Sequence, residues 1–191
     1  MAGAVARFPV TERPEVQFEE LPIPGALVVR VEPISDERGF FARTWSAAEF
    51  KAHGLNPALV ECSISHNDLA GTLRGMHYQA APHEEAKLVR CTKGSIFDVV
   101  IDLRRSSPGF RRAACVELSA ANHLALYVPE GCAHGFLTLE AGTEVLYQIS
   151  HEYVPESARG VRWDDPAFDI RWPRQPSRMS LRDSGFPDFE G

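Results

Sequence analysis

Between residues 59 and 150 the chain repeats one pattern: a short strand-like segment rich in apolar residues, then a turn. VECSIS, TLRGMHYQ, AKLVRCT, SIFDVVIDLR, AACVELS, LALYVP, HGFLTLE and TEVLYQIS are these segments. Asn67-Asp68, Ala81-Pro82, Lys93-Gly94, Ser107-Pro108-Gly109, Glu130-Gly131 and Ala141-Gly142 are turn signals between them. Many short strands without helical stretches between them predict an antiparallel sandwich or barrel. A parallel sheet is disfavoured, because its crossovers need helices for which there is no room. Upstream, LVVRVE (27–32) reads as a strand, Pro33 to Asp36 as a turn, and DERGFFARTW (36–45) as an extended segment. Ser46-Ala47-Ala48-Glu49 fits a capping box and Gly54 a helix stop, which predicts one short helix over 47–53. Residues 1–24 carry four prolines and no period. They read as an arm, loose or packed on a neighbour, ahead of a single domain over 25–191.

Period two also assigns faces. Lys87 shares a face with Val89 and Cys91, Asp98 with Val100 and Asp102, and Tyr147 with Val145 and Ile149. A polar residue alternating with apolar ones fits a cavity wall. It fits a sheet edge equally well, and the period does not separate the two.

Composition narrows the function. A net charge of −6 leaves no basic stripe to neutralise phosphates, which disfavours nucleic acid as a partner. No apolar run approaches the roughly 20 residues of a membrane span. MAGAVARFPV is too short and too weakly apolar for a signal peptide. Cys62, Cys91, Cys115 and Cys132 form no C-x-x-C pair. The expectation is a soluble, cytoplasmic protein with free thiols and no membrane association.

The chemistry concentrates in LRGMHYQ (73–79) and the lysine beyond it. Arg74, His77 and Lys87 supply an anion holder, a base and a stabiliser for the oxyanion left behind. Two cations beside an imidazole imply an anion between them, either a phosphate or a developing enolate. A metal cupin would need H-x-H, but Tyr78 and Gln79 follow His77; His83 and Glu85 flank Pro82 in a turn, where exposure is the simpler reading. No metal and no cofactor are expected. No nucleophile signature occurs either. Arg38 and Arg43 read by default as solvated strand-edge charges, and Asp183 as a surface carboxylate.

DERGFF (36–41), LRGMHYQ (73–79), AKLVRCTKG (86–94), FDVVIDLRRSSPGF (97–110), LYVPEGCAHGF (126–136), EVLYQIS (144–150), EYVPE (152–156) and RWDDPAFDIRWP (162–173) occur in that order. Together they resemble the nucleotide-sugar 3,5-epimerases typified by dTDP-4-dehydrorhamnose 3,5-epimerase, from about residue 22 to 189. The resemblance implies an all-β, cupin-type antiparallel jelly roll with one short N-terminal helix and short C-terminal helical turns. It implies a homodimer with exchanged N-terminal strands, a nucleotide-sugar substrate and no cofactor. It implies a base at His77, a carboxylate paired with that base at Asp183, an enolate stabiliser at Lys87, and a proton donor on the opposite ring face at Tyr147. It places substrate contacts at Arg74 and, for the nucleotide, at Arg38 and Phe41. Glu61, Ser63, Gln79, His134 and Tyr153 complete the implied substrate-binding set, with Asp98 holding Lys87 or another pocket cation.

Some positions depart from the family pattern. Glu61 stands where glutamine is frequent, Arg43 where glutamate is, and Arg111-Arg112-Ala113 follow Phe110 in place of a Gly–aromatic pair. The chemical set is untouched, while the nucleobase, dTDP or CDP, stays open. The predicted reaction is inversion at carbons 3 and 5 of a nucleoside-diphospho-4-keto-6-deoxyhexose. Its rivals are a single-carbon epimerase, a 3,4-ketoisomerase and a non-catalytic sugar-binding cupin.

Overall fold

A computed structural model describes residues 15–190. The chain opens with β1 (Val16–Glu20) and β2 (Leu27–Val31), then a small hairpin of β3 (Ile34–Asp36) and β4 (Gly39–Phe41), then α1 (Ala47–Ala52). The main body follows as β5 (Glu61–Asn67), β6 (Leu73–Gln79), β7 (Lys87–Lys93), β8 (Ser95–Asp102), β9 (Ala113–Ser119), β10 (Ala125–Val128), β11 (Cys132–Thr138) and β12 (Thr143–Ile149). The tail adds β13 (Ala158–Gly160) and α2 (Leu181–Ser184).

The strands form two facing antiparallel sheets. The larger runs β1-β2-β10-β7-β12-β5 and the smaller β13-β6-β11-β8-β9. The chain changes sheet at most turns, so neighbours within a sheet are distant in sequence. This is an antiparallel sandwich, as the strand spacing predicts, with the jelly-roll order that the family resemblance implies. Between the sheets, Val89, Cys91 and Val145 meet Ile96, Val100 and Phe136 in one buried cluster. Lys87 and Tyr147 therefore lie on the inner face, as the period-two assignment allowed.

Both outer faces are covered as well. Phe50 of α1, with Leu55, packs over Leu27, Val29, Leu88 and Tyr127 on the larger sheet. Phe168 and Val161 of the tail cover Met76, Val99, Ile101 and Ala133 on the smaller. A central strand such as β8 is thus buried on both sides, and its sequence loses clean alternation.

Several local expectations change. Residues 16–20, assigned to the arm, form the edge strand β1 of the chain's own larger sheet, and Ile23 is fully buried in the core. Residues 1–14 of that arm lie outside the described residues. The turn expected from Pro33 to Asp36 is instead strand β3, paired with β4. Ser46 caps α1 in position only, without a side-chain hydrogen bond. Glu49 is used elsewhere: it accepts from the Val16 N–H at 3.0 Å and from Arg43 Nη1 at 3.0 Å. That pair ties β1 to the helix and accounts for arginine at 43.

Candidate active site

A cavity of about 710 Å³ opens between the sheets. Its walls are β6 and β11 on one side and β5, β7 and β12 on the other, with the tail segment around 178–183 closing one end. Two glycines set the first wall. A Cβ on Gly75 (φ +141) would sit 2.6 Å from the Cα of Gly135, and one on Gly135 would sit 2.8 Å from the Arg74 carbonyl. Only hydrogen side chains allow this approach. The ladder shifts register there, pairing His77 with His134 and Arg74 with Phe136. Arg74, His77 and His134 are brought to one wall as a result.

His77 and Asp183 meet 106 residues apart in the chain, with Nε2 and Oδ1 at 2.8 Å. Asp183 is the buried residue of α2, held where Ser180 caps that helix by accepting from the Asp183 N–H. Its second oxygen accepts from the Gly75 N–H at 3.2 Å. Burial alone raises the Asp183 carboxyl. The His77 hydrogen bond and charge, the Gly75 N–H and the Ser180 hydroxyl outweigh it and hold it below the ordinary carboxylate range. An ionised carboxylate only accepts, so Nε2 of His77 is the donor in this pair. The sequence default of a solvated Asp183 is corrected: the tail folds back and buries it, with Phe186 packed edge-on against the His77 ring at 5.9 Å.

A depressed carboxyl stabilises the fold above its unfolded value near 3.8 and loses that contribution as pH falls through the lower folded value. Asp183→Asn is therefore expected to destabilise the protein by about 1.5–3 kcal/mol at neutral pH, as for a hydrogen bond to a charged group. The deficit should narrow as the pH falls below about 3.8. Urea unfolding at a series of pH values checks this.

The facing sheet supplies Tyr147 and Lys87. The Tyr147 hydroxyl lies 3.2 Å from Ser65 Oγ. Burial raises the phenol well above its ordinary value, with Asp98 adding to the rise and Ser65 and Arg74 opposing it. Tyr147 is thus kept as the neutral, proton-bearing phenol. Lys87 Nζ lies 2.7 Å from Glu85 Oε1. His134 Nε2 pairs with Asp98 Oδ1 at 2.7 Å, and its ring meets Tyr147 edge-on at 6.4 Å. Asp98 therefore holds His134 and not Lys87, contrary to one reading above. Full burial pushes the Asp98 carboxyl up, and His134 pulls it back in part. A base held by a carboxylate on one sheet and a phenol with an ammonium on the other can strip a proton from one face of a ring and return one to the opposite face.

A sequence model of the dTDP-4-dehydrorhamnose 3,5-epimerases matches residues 20–191. The dTDP-4-dehydrorhamnose 3,5-epimerase of Sinorhizobium fredii is 39% identical over 180 residues, 94% of this chain and 92% of that protein. The chain belongs to the dTDP-4-dehydrorhamnose 3,5-epimerase family. The crystal structure of the Elizabethkingia anophelis dTDP-4-dehydrorhamnose 3,5-epimerase superposes with a TM-score of 0.88 at 34% identity, covering 91% of this chain and 96% of that one. ChmJ, a 3'-monoepimerase from Streptomyces bikiniensis in complex with dTDP-quinovose, superposes with a TM-score of 0.81 at 31% identity, covering 88% and 85%. Membership makes the protein a carbohydrate epimerase of deoxysugar biosynthesis with a nucleotide-sugar substrate.

The remaining residues expected from the family divide into three groups. Arg74, Glu61, Ser63, Gln79, His134 and Tyr153 all border the cavity. Within this group Gln79 is buried and holds a loop, donating to the His83 and Glu152 carbonyls and accepting from the Val154 N–H at 2.6 Å. Glu61, the departure from glutamine, accepts from the Tyr153 N–H at 3.1 Å. The two side chains together fix the loop that carries the exposed Tyr153. Asp98 forms the second group, behind His134. Arg38 and Phe41 form the third, on the exposed β3–β4 hairpin. Arg38 pairs there with Asp36, Phe41 is 68% exposed, and neither borders the cavity of its own chain.

Sequence reasoning missed several polar wall residues. Ser65 carries the Tyr147 contact, and its alternation with Ser63 was the available signal. Glu85 was read as exposed near Pro82, yet its side chain is 10% exposed and paired. Arg178 and Arg182 enter from the tail, where no periodicity marks them. Among the described residues no group of His, Cys, Asp and Glu is arranged to hold a metal ion, and no helix is long and apolar enough to cross a membrane.

Proposed function

We propose that the protein inverts carbons 3 and 5 of a dTDP-linked 4-keto-6-deoxyhexose. The observation that carries this reading is the His77–Asp183 pair on one sheet opposed by Tyr147 and Lys87 on the other, all on one cavity. In this reading His77 removes the proton alpha to the ketone, and Asp183 orients the ring and steadies the imidazolium that forms. The Lys87 ammonium takes the charge that develops on the carbon-4 oxygen. Tyr147 then delivers its phenolic proton to the opposite face and recovers one from solvent through Ser65, while the His77 imidazolium releases the abstracted proton to solvent. Repeating the cycle at the second acidic carbon completes the double inversion.

The diphosphate takes the arginine end of the cavity. Arg74, Arg178 and Arg182 border it, and none forms an ion pair with a carboxylate among the described residues. The exposed hairpin with Arg38 and Phe41 supports a homodimer in which the N-terminal region of one subunit reaches the nucleotide of the other. Four free thiols support a reducing, cytoplasmic setting.

Incubation of the 4-keto substrate in heavy water tests the reaction. Deuterium is expected at carbons 3 and 5. Incorporation at one carbon alone makes this a monoepimerase, and binding without incorporation makes it a sugar-binding protein.

A further inference from the structure

We infer that Glu85 is a positioning residue that pre-sets the Lys87 ammonium for the carbon-4 oxygen, an inference that rests on the role proposed for Lys87. Lysine carries its charge on a flexible four-carbon stem, so an ammonium has to be held before it can act as a fixed oxyanion donor. Neither cross-strand neighbour of Lys87 can hold it: Val128 lies on one side and Ile149 on the other, both apolar. Glu85 does so at 2.7 Å, and it is the one carboxylate paired with Lys87 among the described residues. The two side chains are 10% and 11% exposed. Two charges this dry are tolerated only as a pair.

The local backbone explains the alignment. Residues 85 and 87 point to the same face in an extended segment, with Ala86 buried on the other. Ala86 is clamped to Ser150 at the end of β12 by two hydrogen bonds, its N–H to Ser150 Oγ at 2.8 Å and its carbonyl from the Ser150 N–H at 3.0 Å. Glu85 and Lys87 therefore project from one rigid stretch. The carboxylate occupies one of three ammonium N–H donors and leaves two for the substrate oxygen. Glu85 itself carries no proton in the reaction. It lies on the cavity wall, whereas the phosphate-binding arginines proposed above come from β6 and the tail.

The test is a double-mutant cycle of Glu85→Ala with Lys87→Ala, read as deuterium exchange, kcat, KM and dTDP affinity. Glu85→Ala is expected to lower kcat and exchange together by at least about tenfold, but by less than the roughly hundredfold to thousandfold expected for loss of the donor itself. KM and dTDP affinity should stay near wild type. In the Lys87→Ala background the same change should cost nothing further, because its effect acts through the lysine. Glu85→Gln, which keeps an acceptor oxygen and the side-chain shape, should fall between wild type and Glu85→Ala and serves if the alanine variant does not fold. Wild-type exchange in both Glu85 variants, a loss confined to KM, or an equal loss with and without Lys87 would overturn the inference while leaving the epimerase reading intact. Absence of exchange by the wild-type protein on any dTDP- or CDP-linked 4-keto sugar would remove both.

Discussion

His77→Asn is expected to abolish deuterium exchange at both carbons while leaving dTDP affinity near the wild-type value. The same imidazole serves both positions in the proposed cycle, so neither exchange should survive selectively. A general base contributes about a hundredfold to ten-thousandfold, and the loss should fall in that range. The geometry makes the asparagine variant a clean one. Asp183 keeps its bonds to the Gly75 and Ser180 groups when the ring is removed, so α2 retains an anchor. Measuring exchange by NMR and dTDP binding by calorimetry on one preparation separates lost chemistry from lost folding. Residual exchange at one carbon near the wild-type rate would assign a second base to that carbon and overturn the single-base reading.

Tyr147→Phe should behave differently. In the proposed cycle proton removal belongs to His77 on the other sheet, so exchange should persist in part. Net inversion, which needs a proton on the opposite face, should fall by about a hundredfold or more. The ratio of inversion to exchange is the diagnostic quantity. Phenylalanine keeps the ring against His134 and the core and removes only the hydroxyl that meets Ser65. An equal loss of exchange and inversion would count against placing the two proton transfers on opposite sheets.

The two experiments address residues that were not equally visible in the chain. His77, Lys87 and Arg74 stood out locally, since an imidazole between cations asks for an anion. Tyr147 was visible as a polar break in an apolar face. Asp183 was assigned as the partner of His77 through the family resemblance alone, because nothing within its own segment records a contact made 106 residues away. Glu85 was misread for a related reason. A turn beside proline is usually exposed, but here Ser150, just after β12, draws the segment against the sheet. Arg38 and Phe41 show the limit from the other side: family resemblance assigned them to the nucleotide, and within one chain they lie on a separate, exposed hairpin.

The alternation of apolar and polar residues determined, by itself, most strands between residues 59 and 150 and which neighbours share a face with Lys87 and with Tyr147. Those properties follow from the two-residue period of an extended backbone, which every short segment carries in full. Tertiary structure alone decided which distant groups meet. It buried Asp183 behind His77, set Asp98 on His134 in place of Lys87, and turned β1 and Ile23 into part of the sheet and core. The physical reason is that a jelly roll passes its chain from sheet to sheet at most turns. Its cavity is therefore assembled from segments that share no local signal, and pairing energies between them are defined only once both sheets and the tail have packed.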